Sequence, residues 1–143
     1  MIKFKLATPE RVLLDIEVES LTLPTQMGEV TILPNHIPLV ANLGHGEIRS
    51  KYQGKTEFFS VSGGIIEVKK NHEVVVLADT AEFGHEIDVQ RAEEAKLRAQ
   101  KLMTEKAADP QAFQEAAAAF GRNLARIKVA HKHRTHKQQH VSN

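Results

Sequence analysis

Hydrophobic and polar residues alternate along the first half of the chain and recur every third or fourth position along the second half. Residues 2–6 alternate strictly, and apolar residues at 14, 16 and 18 alternate with acidic ones. Beyond the segment 78–92, apolar residues stand at 92, 95, 99 and 102. Alternation is typical of strands with one solvated face, whereas spacings of three and four are typical of helices. The pattern therefore predicts an α+β protein of two modules, with a β domain over 1–84 and a helical domain over 85–130.

The predicted strands of the first module are short and separated by turn residues. After Ser20 the alternation changes phase, and a slip of one residue turns every following side chain to the opposite face. We therefore expect a bulge or a sheet-to-sheet bend at Ser20. Further strands are predicted near 30–33, 46–52, 55–61, 64–69 and 72–78, with Gly63-Gly64 as a turn and the apolar run 74–78 as a central strand buried on both faces. Many short strands without an intervening helix indicate a sandwich or flattened barrel.

The second module reads as an antiparallel two-helix hairpin. Asp88 stands where a helix N-cap is expected, and Asp109-Pro110 is typical of a second helix start. Apolar residues then recur from Phe113 to Ile127 at spacings of four and three. The first helix presents mostly alanine, and alanine buries little apolar area. The hairpin is therefore expected to be weakly held, either docked on the β domain or exchanging between arrangements.

Composition excludes several classes of site. The chain has no cysteine, which rules out disulfides, thiolate metal sites and cysteine nucleophiles. Residues 1–85 carry eight Lys/Arg against eleven Asp/Glu, and 86–130 carry eight against seven, which is not the charge distribution of a nucleic-acid binder. No apolar run approaches the length of a membrane span, so we expect a soluble chain. Residues 131–143 form a basic, His-rich segment, predicted to be a frayed, flexible tail without a metal site.

One loop has the composition of a contact surface. Gly28 permits a positive φ, and Pro34 and Pro38 restrict their neighbours to extended conformations. Rigid, exposed loops often bind partners. From residue chemistry alone, however, the favoured interpretation of Glu29 is a solvated turn residue, and that of His36 is a hydrogen-bonded loop histidine.

Four ordered blocks resemble a known family, the ε subunits of F-type rotary ATP synthases, and in particular those of thermophilic bacilli. The blocks are Gly28-Glu29 with 32–39 (ILPNHIPL), 61–68 (VSGGIIEV), 75–81 (VVLADTA) and 87–95 (IDVQRAEEA). The resemblance covers residues 1–130 and implies a β-sandwich followed by a helical hairpin. It thus agrees with the fold predicted from periodicity.

The resemblance implies a non-catalytic rotor subunit in the central stalk of a proton-translocating ATP synthase. In that family the sandwich binds the γ subunit and the membrane c-ring, and the hairpin, when extended along γ, inhibits ATP hydrolysis. Carried over, Glu29 and His36 are the c-ring contact, and Arg122, Arg126 and Lys128 meet the catalytic β subunit, beside α. Opposite charge across such a contact steers encounter and sets register. The implied location is the cytoplasmic face of a bacterial cell membrane, as a peripheral protein held there only through the complex.

In ε subunits of thermophilic bacilli, an Ile-Asp-x-x-Arg motif with later arginines binds ATP as a regulatory ligand. The matching residues here are Glu82, Ile87, Asp88, Arg91, Ala92, Arg98, Arg122 and Arg126. Guanidinium groups from two helices can bind a triphosphate in bidentate fashion. ATP would then stabilise the docked hairpin without being a substrate, and no catalytic cofactor is implied. The alternative is that Asp88 is only a helix cap and the arginines are solvated.

Two other classes of function remain as alternatives. The first is a small enzyme on a β scaffold that uses His36, His45 or Asp79, although no triad or metal-ligand spacing is present. The second is a nucleic-acid-binding module that uses the basic tail, for which a strongly salt-dependent affinity is the expected sign.

Overall fold

The computed structural model describes the backbone of residues 1–141 and the side chains of residues 1–136. Eight strands are followed by a 3₁₀ turn and two helices. The strands are β1 (Ile2–Ala7), β2 (Val12–Val18), β3 (Ser20–Thr25), β4 (Gly28–Ile32), β5 (Leu39–Asn42), β6 (His45–Tyr52), β7 (Lys55–Val68) and β8 (Glu73–Phe83). The 3₁₀ turn is Gly84–Glu86, and the helices are α1 (Val89–Glu105) and α2 (Pro110–Val141).

The strands form a sandwich around one core, as predicted. Their order is β2-β1-β8-β7-β6-β3-β4, and β5 pairs with the second half of β7. Among the described strands, only the β1–β8 pairing is parallel. Phe4 and Phe59 meet edge to face at a ring-centroid distance of 6.3 Å in the middle of the core. All fully buried members of this core lie between residues 2 and 78, so the hairpin contributes none of them.

The phase change at Ser20 marks a bend from one part of the sheet to another, which confirms the prediction. Residues up to Val18 pair with β1, whereas Ser20 begins a strand that pairs with β6 and β4. Glu19 bridges the two parts, because its N–H donates to the carbonyl of Lys51 over 2.8 Å. The one-residue slip therefore lets inward-facing side chains point into the core on both sides of the bend.

The predicted turn at Gly63-Gly64 is wrong. Strand β7 continues without interruption through both glycines. It pairs with β6 up to Ser62 and with β5 from Ile65. The glycines mark a bend inside a strand, which their positive φ values of +69° and +130° permit. A Cβ on Gly64 would lie 2.1 Å from the carbonyl oxygen of Leu77, so glycine is needed for the close approach of β8.

The run 74–78 is central but buried on one face only. Val74, Val76 and Ala78 are buried in the core. Leu77, on the opposite face, is 55% exposed. The apolar side chain on the opposite face of this run is therefore not covered by a second core within the described residues.

The helical hairpin is confirmed, with both predicted caps. Asp88 Oδ1 accepts from the backbone N–H of Arg91 over 3.1 Å, and Asp109 Oδ1 accepts from those of Gln111 and Ala112 over 3.2 Å. Helix α2 continues to Val141, so residues 131–141 of the predicted tail belong to this helix. The last two residues of that predicted tail lie outside the described residues.

Helix α2 packs against α1 on one side and against β6 and β7 on the other. Its most buried residues are Val129 and Ala130, which form a small second core with Phe58 and Ile87. This packing explains why the helix extends past the predicted end, since residue 131 directly follows two buried residues. The predicted apolar seams are only partly buried, because Phe113 and Leu102 remain exposed.

Candidate functional site

A cleft of about 240 Å³ lies between the end of β8 and helix α2. The sandwich contributes Ser60, Thr80, Ala81 and Glu82, and the hairpin contributes Arg122 and Arg126. Three residues of the predicted ATP site, Glu82, Arg122 and Arg126, are thus brought together. Because both modules form its walls, the cleft exists only while the hairpin is docked.

Arg126 is fixed by three interactions. Its Nε donates to Glu82 Oε1 and its Nη2 to Glu82 Oε2, while its Nη1 donates to Asn123 Oδ1 over 2.9 Å. Asn123 is buried and donates through Nδ2 to the carbonyl of Ala119 over 2.8 Å. The guanidinium is therefore oriented before any ligand arrives. Within the described residues Arg122 has no ion pair, so the cleft carries an uncompensated positive charge.

Arg98 lies in a neighbouring cleft of about 430 Å³ between α1 and α2. Arg122 lines this cleft as well, so it stands at the boundary of the two. Arg98 is exposed, which leaves its guanidinium accessible to an anion. Two of the four predicted helical arginines therefore line each cleft, with Arg122 in both and Arg91 in neither.

The remaining predicted ligands lie at the start of α1. Asp88 caps this helix, and its Oδ2 lies 3.7 Å from Nε of the largely exposed Arg91. Ile87 and Ala92 are buried, so their side chains cannot reach a polar ligand. Their backbone groups alone could contact one.

The predicted c-ring residues lie toward opposite ends of β4. Glu29 is exposed beside the β3–β4 turn and pairs with Arg49 over 3.3 Å. His36 lies beyond the other end, where its Nδ1 donates to the carbonyl of Ile37 over 2.7 Å. The fold therefore does not unite Glu29 and His36 in one compact surface.

A second surface was missed by sequence reasoning. Val40, Ile65 and Leu77 stand on neighbouring strands and are 72%, 51% and 55% exposed. Ile65 and Leu77 are paired directly across β7 and β8. The signal for this surface was the uninterrupted apolar run 74–78. A strand with one solvated face would carry polar residues at alternate positions. Exposed apolar side chains grouped on one sheet face make this surface a candidate for a partner.

Of the three basic residues predicted to meet the β subunit, only one is solvent-exposed while the hairpin is docked. Lys128 is exposed, Arg122 lies half-buried in the cleft, and Arg126 is paired with Glu82. The docked position therefore withholds part of this charge from an outside partner.

The residues of the alternative enzyme are not assembled into one site. His45 Nδ1 shares a hydrogen bond of 2.7 Å with Ser62 Oγ and lies in a cleft facing α2. His36 lines a different cleft, next to His72. Within the described residues, no three His, Asp or Glu side chains are grouped as metal ligands would be.

Neither helix, over the described part of the chain, combines the length and apolar character required to cross a bilayer.

Residues 1–84 match the family "ATP synthase, Delta/Epsilon chain, beta-sandwich domain", and residues 85–131 match "ATP synthase, Delta/Epsilon chain, long alpha-helix domain". The chain therefore belongs to the delta/epsilon chain family of ATP synthases.

Relatives within the family are epsilon chains. The ATP synthase epsilon chain of Dehalococcoides mccartyi strain BAV1 is 41% identical over 137 residues, covering 96% of this chain and 97% of its own length. That of Bacillus licheniformis is 39% identical over 129 residues, with 90% and 97% covered. The predicted resemblance to the ε subunit of F-type ATP synthases is thereby confirmed. A chain of the Euglena gracilis mitochondrial ATP synthase shares the fold, with a TM-score of 0.74, 24% identity and coverage of 84% of this chain and 75% of that one.

Proposed function

We propose that this ε subunit works in the central stalk, where its sandwich binds γ and the c-ring and its hairpin inhibits ATP hydrolysis after leaving the sandwich. The observation that supports this most directly is the separation of the two cores. The sandwich core draws its fully buried residues from 2–78, whereas the hairpin is attached through Phe58, Ile87, Val129 and Ala130. The hairpin can therefore leave without opening the main core.

The size of the attachment suits a reversible contact. Full burial of a Val- or Phe-sized side chain is worth about 1.5–3 kcal/mol. Val129 and Phe58 are the only bulky side chains of α2 and β7 in the small core within the described residues. Their contribution is close to what ligand binding supplies, so a ligand can decide the position of the hairpin.

We infer ATP as the ligand of the cleft between β8 and α2 from the cationic side chains in its walls. Arg122 and Arg126 suit phosphate oxygens, and the oriented fork of Arg126 suits bidentate binding. A triphosphate would compete with Glu82 for Arg126, which frees the carboxylate to accept from the adenine amino group. Since the cleft needs both modules, ATP stabilises only the docked hairpin, by RT ln(1 + [ATP]/Kd). ATP thus acts as a signal, with high concentrations keeping the inhibitor docked.

Replacing Arg91 and Arg126 together with alanine is expected to abolish the stabilisation of the isolated chain by ATP. At a hundredfold excess of ATP over its Kd, stabilisation of the unmodified chain is expected to be about 2.7 kcal/mol. The measurement is the difference in Tm with and without ATP. Because the double variant lacks the Glu82–Arg126 ion pair in both conditions, the effect of that loss on Tm cancels in the difference. Arg134→Ala, which removes one arginine charge away from the cleft, is the control. An ATP-dependent shift retained by the double variant contradicts the site.

The sandwich offers separate surfaces for γ and the c-ring. The patch of Val40, Ile65 and Leu77 suits γ, because a stable subunit interface buries apolar side chains at its centre. The β3–β4 turn, with Glu29 beside it and Met27 97% exposed, is the surface that we assign to the c-ring. Contact with the c-ring would hold the protein at the cytoplasmic face of a bacterial membrane. The protein itself has no catalytic role in this proposal.

Removing the charge of Lys128 is expected to relieve inhibition of the complex. The Lys128→Gln variant keeps the Glu82–Arg126 pair and both arginines of the ATP cleft, so it weakens contact with the acidic partner without loosening the docked hairpin. With about 1 kcal/mol or less for an exposed pair, the hydrolysis rate should rise by up to roughly fivefold. Lys101→Gln, on α1, is the control. The rate of ATP hydrolysis by the reconstituted complex is measured, and no increase would locate the inhibitory contact elsewhere.

A further inference from the structure

The C-terminal part of α2 makes contacts beyond both the ATP cleft and the matched family region, which ends at residue 131. Lys132 Nζ donates to Glu47 Oε1 over 2.7 Å. Arg49 Nη1 donates to the same oxygen over 2.7 Å, and Arg49 Nη2 is in turn held by Glu29. The Glu47 side chain is only 10% exposed. A nearly buried carboxylate with two cationic donors binds each of them more firmly than a solvated one, because water screens it less.

The same part of the helix packs against the start of the hairpin. The rings of His133 and His85 have centroids 5.8 Å apart, and His136 meets Phe58 edge-on at 5.7 Å. A Cβ on Gly84 would lie 3.2 Å from His133 Cβ, so the helix passes close to the 3₁₀ turn. These residues therefore contact β6, β7 and the junction between the modules at once.

We propose that Lys132, His133 and His136 form a latch on Glu47, Phe58 and His85 that keeps the hairpin docked in the absence of nucleotide. The latch is distinct from the ATP cleft, because Glu47 lies on β6 whereas Glu82 lies on β8. Lys132 follows Arg126 by six residues, or about 9 Å along the helix. The hairpin is thus attached at two places, and ATP strengthens only one of them.

The latch has a consequence for the complex that rests on the proposed function. If the undocked hairpin is the inhibitor, weakening the latch increases inhibition. A chain with this latch needs less ATP to keep its hairpin docked than the same chain without it. The docking itself is a property of the isolated chain and does not depend on the proposed role.

Docking is measured as a distance between two spin labels in the full-length chain. The chain has no cysteine, so Lys51→Cys on the sandwich and Ala108→Cys at the hairpin tip, both at exposed positions, take the labels alone. Double electron–electron resonance then gives the fractions of docked and undocked hairpin. Lys132→Gln is expected to raise the undocked fraction roughly fivefold, which allows for the half-exposed lysine. Glu47→Gln should raise it further, since it leaves the Lys132 ammonium and the Arg49 guanidinium facing the same site without the carboxylate that both of them contact.

Arg134→Gln is the matched control, since it removes the same charge two residues further along, at an exposed position without an ion pair among the described residues. Unchanged distances in both Lys132→Gln and Glu47→Gln, or an equal change in Arg134→Gln, would overturn the latch. Circular dichroism of each variant separates undocking from unfolding. Saturating ATP supplies the arm that tests the proposed function: redocking of Lys132→Gln by ATP supports both ideas. Undocking by Lys132→Gln with no response to ATP supports the latch and contradicts the nucleotide site.

Discussion

Ending the chain at Asp88 is expected to leave a folded sandwich that assembles into the complex and no longer restrains ATP hydrolysis. The main core is complete without the helices, since its fully buried residues end at Ala78. The chain loses Val129 and Ala130 from the small core, which uncovers Phe58. Exposing one such side chain costs about 1.5–3 kcal/mol, a loss that a well-packed sandwich tolerates.

The measurement compares ATP hydrolysis by complexes reconstituted with the full chain and with the truncated chain. The truncated chain should support synthesis and give the uninhibited hydrolysis rate. A chain ending at Ala130 is the informative control, because it keeps the hairpin but lacks the latch and should inhibit more strongly than the full chain. Equal inhibition by the full chain and the chain ending at Asp88 would leave the subunit as a passive part of the stalk.

Gly64→Ala is expected to destabilise the sandwich by about 3 kcal/mol or more, at the upper end of single-residue effects. The new Cβ would lie 2.1 Å from the Leu77 carbonyl oxygen and 2.8 Å from Ala78 Cα. Both atoms are backbone, so no side-chain rotation can relieve the contact. The strands β7 and β8, which are adjacent near the middle of the sheet, would have to separate.

Gly54→Ala is the matched control for backbone strain alone. Gly54 has a φ of +75°, and a Cβ there would meet no atom within 4 Å. Left-handed strain costs an L-residue about 1–2 kcal/mol, which sets the expected effect of this variant. Urea unfolding of the isolated chain measures both free energies. If Gly64→Ala were no more destabilising than Gly54→Ala, the close approach of β8 would not be what requires glycine.

The candidate site was predictable only in part. Residues Glu82, Arg122 and Arg126 follow from the family resemblance, and the fold brings them into one cleft. Asn123 could not be found, because a lone polar residue on an amphipathic helix fits a solvated position equally well. Its role depends on the hydrogen bond to Arg126, which only the packing of α2 on β8 creates. Whether ATP binds there stays a prediction.

The sequence by itself determined the succession of a strand region and two helices, the helix caps and the bend at Ser20. These features depend on residues close together in the chain, so periodicity and local hydrogen bonding suffice to predict them. Tertiary structure alone decided the course of β7 through Gly64, the exposure of Leu77 and the pairing of Lys132 with Glu47. Each of these features depends on which distant segment lies opposite. The pattern along a chain indicates whether a residue prefers to be buried, but it does not identify the residue that will contact it.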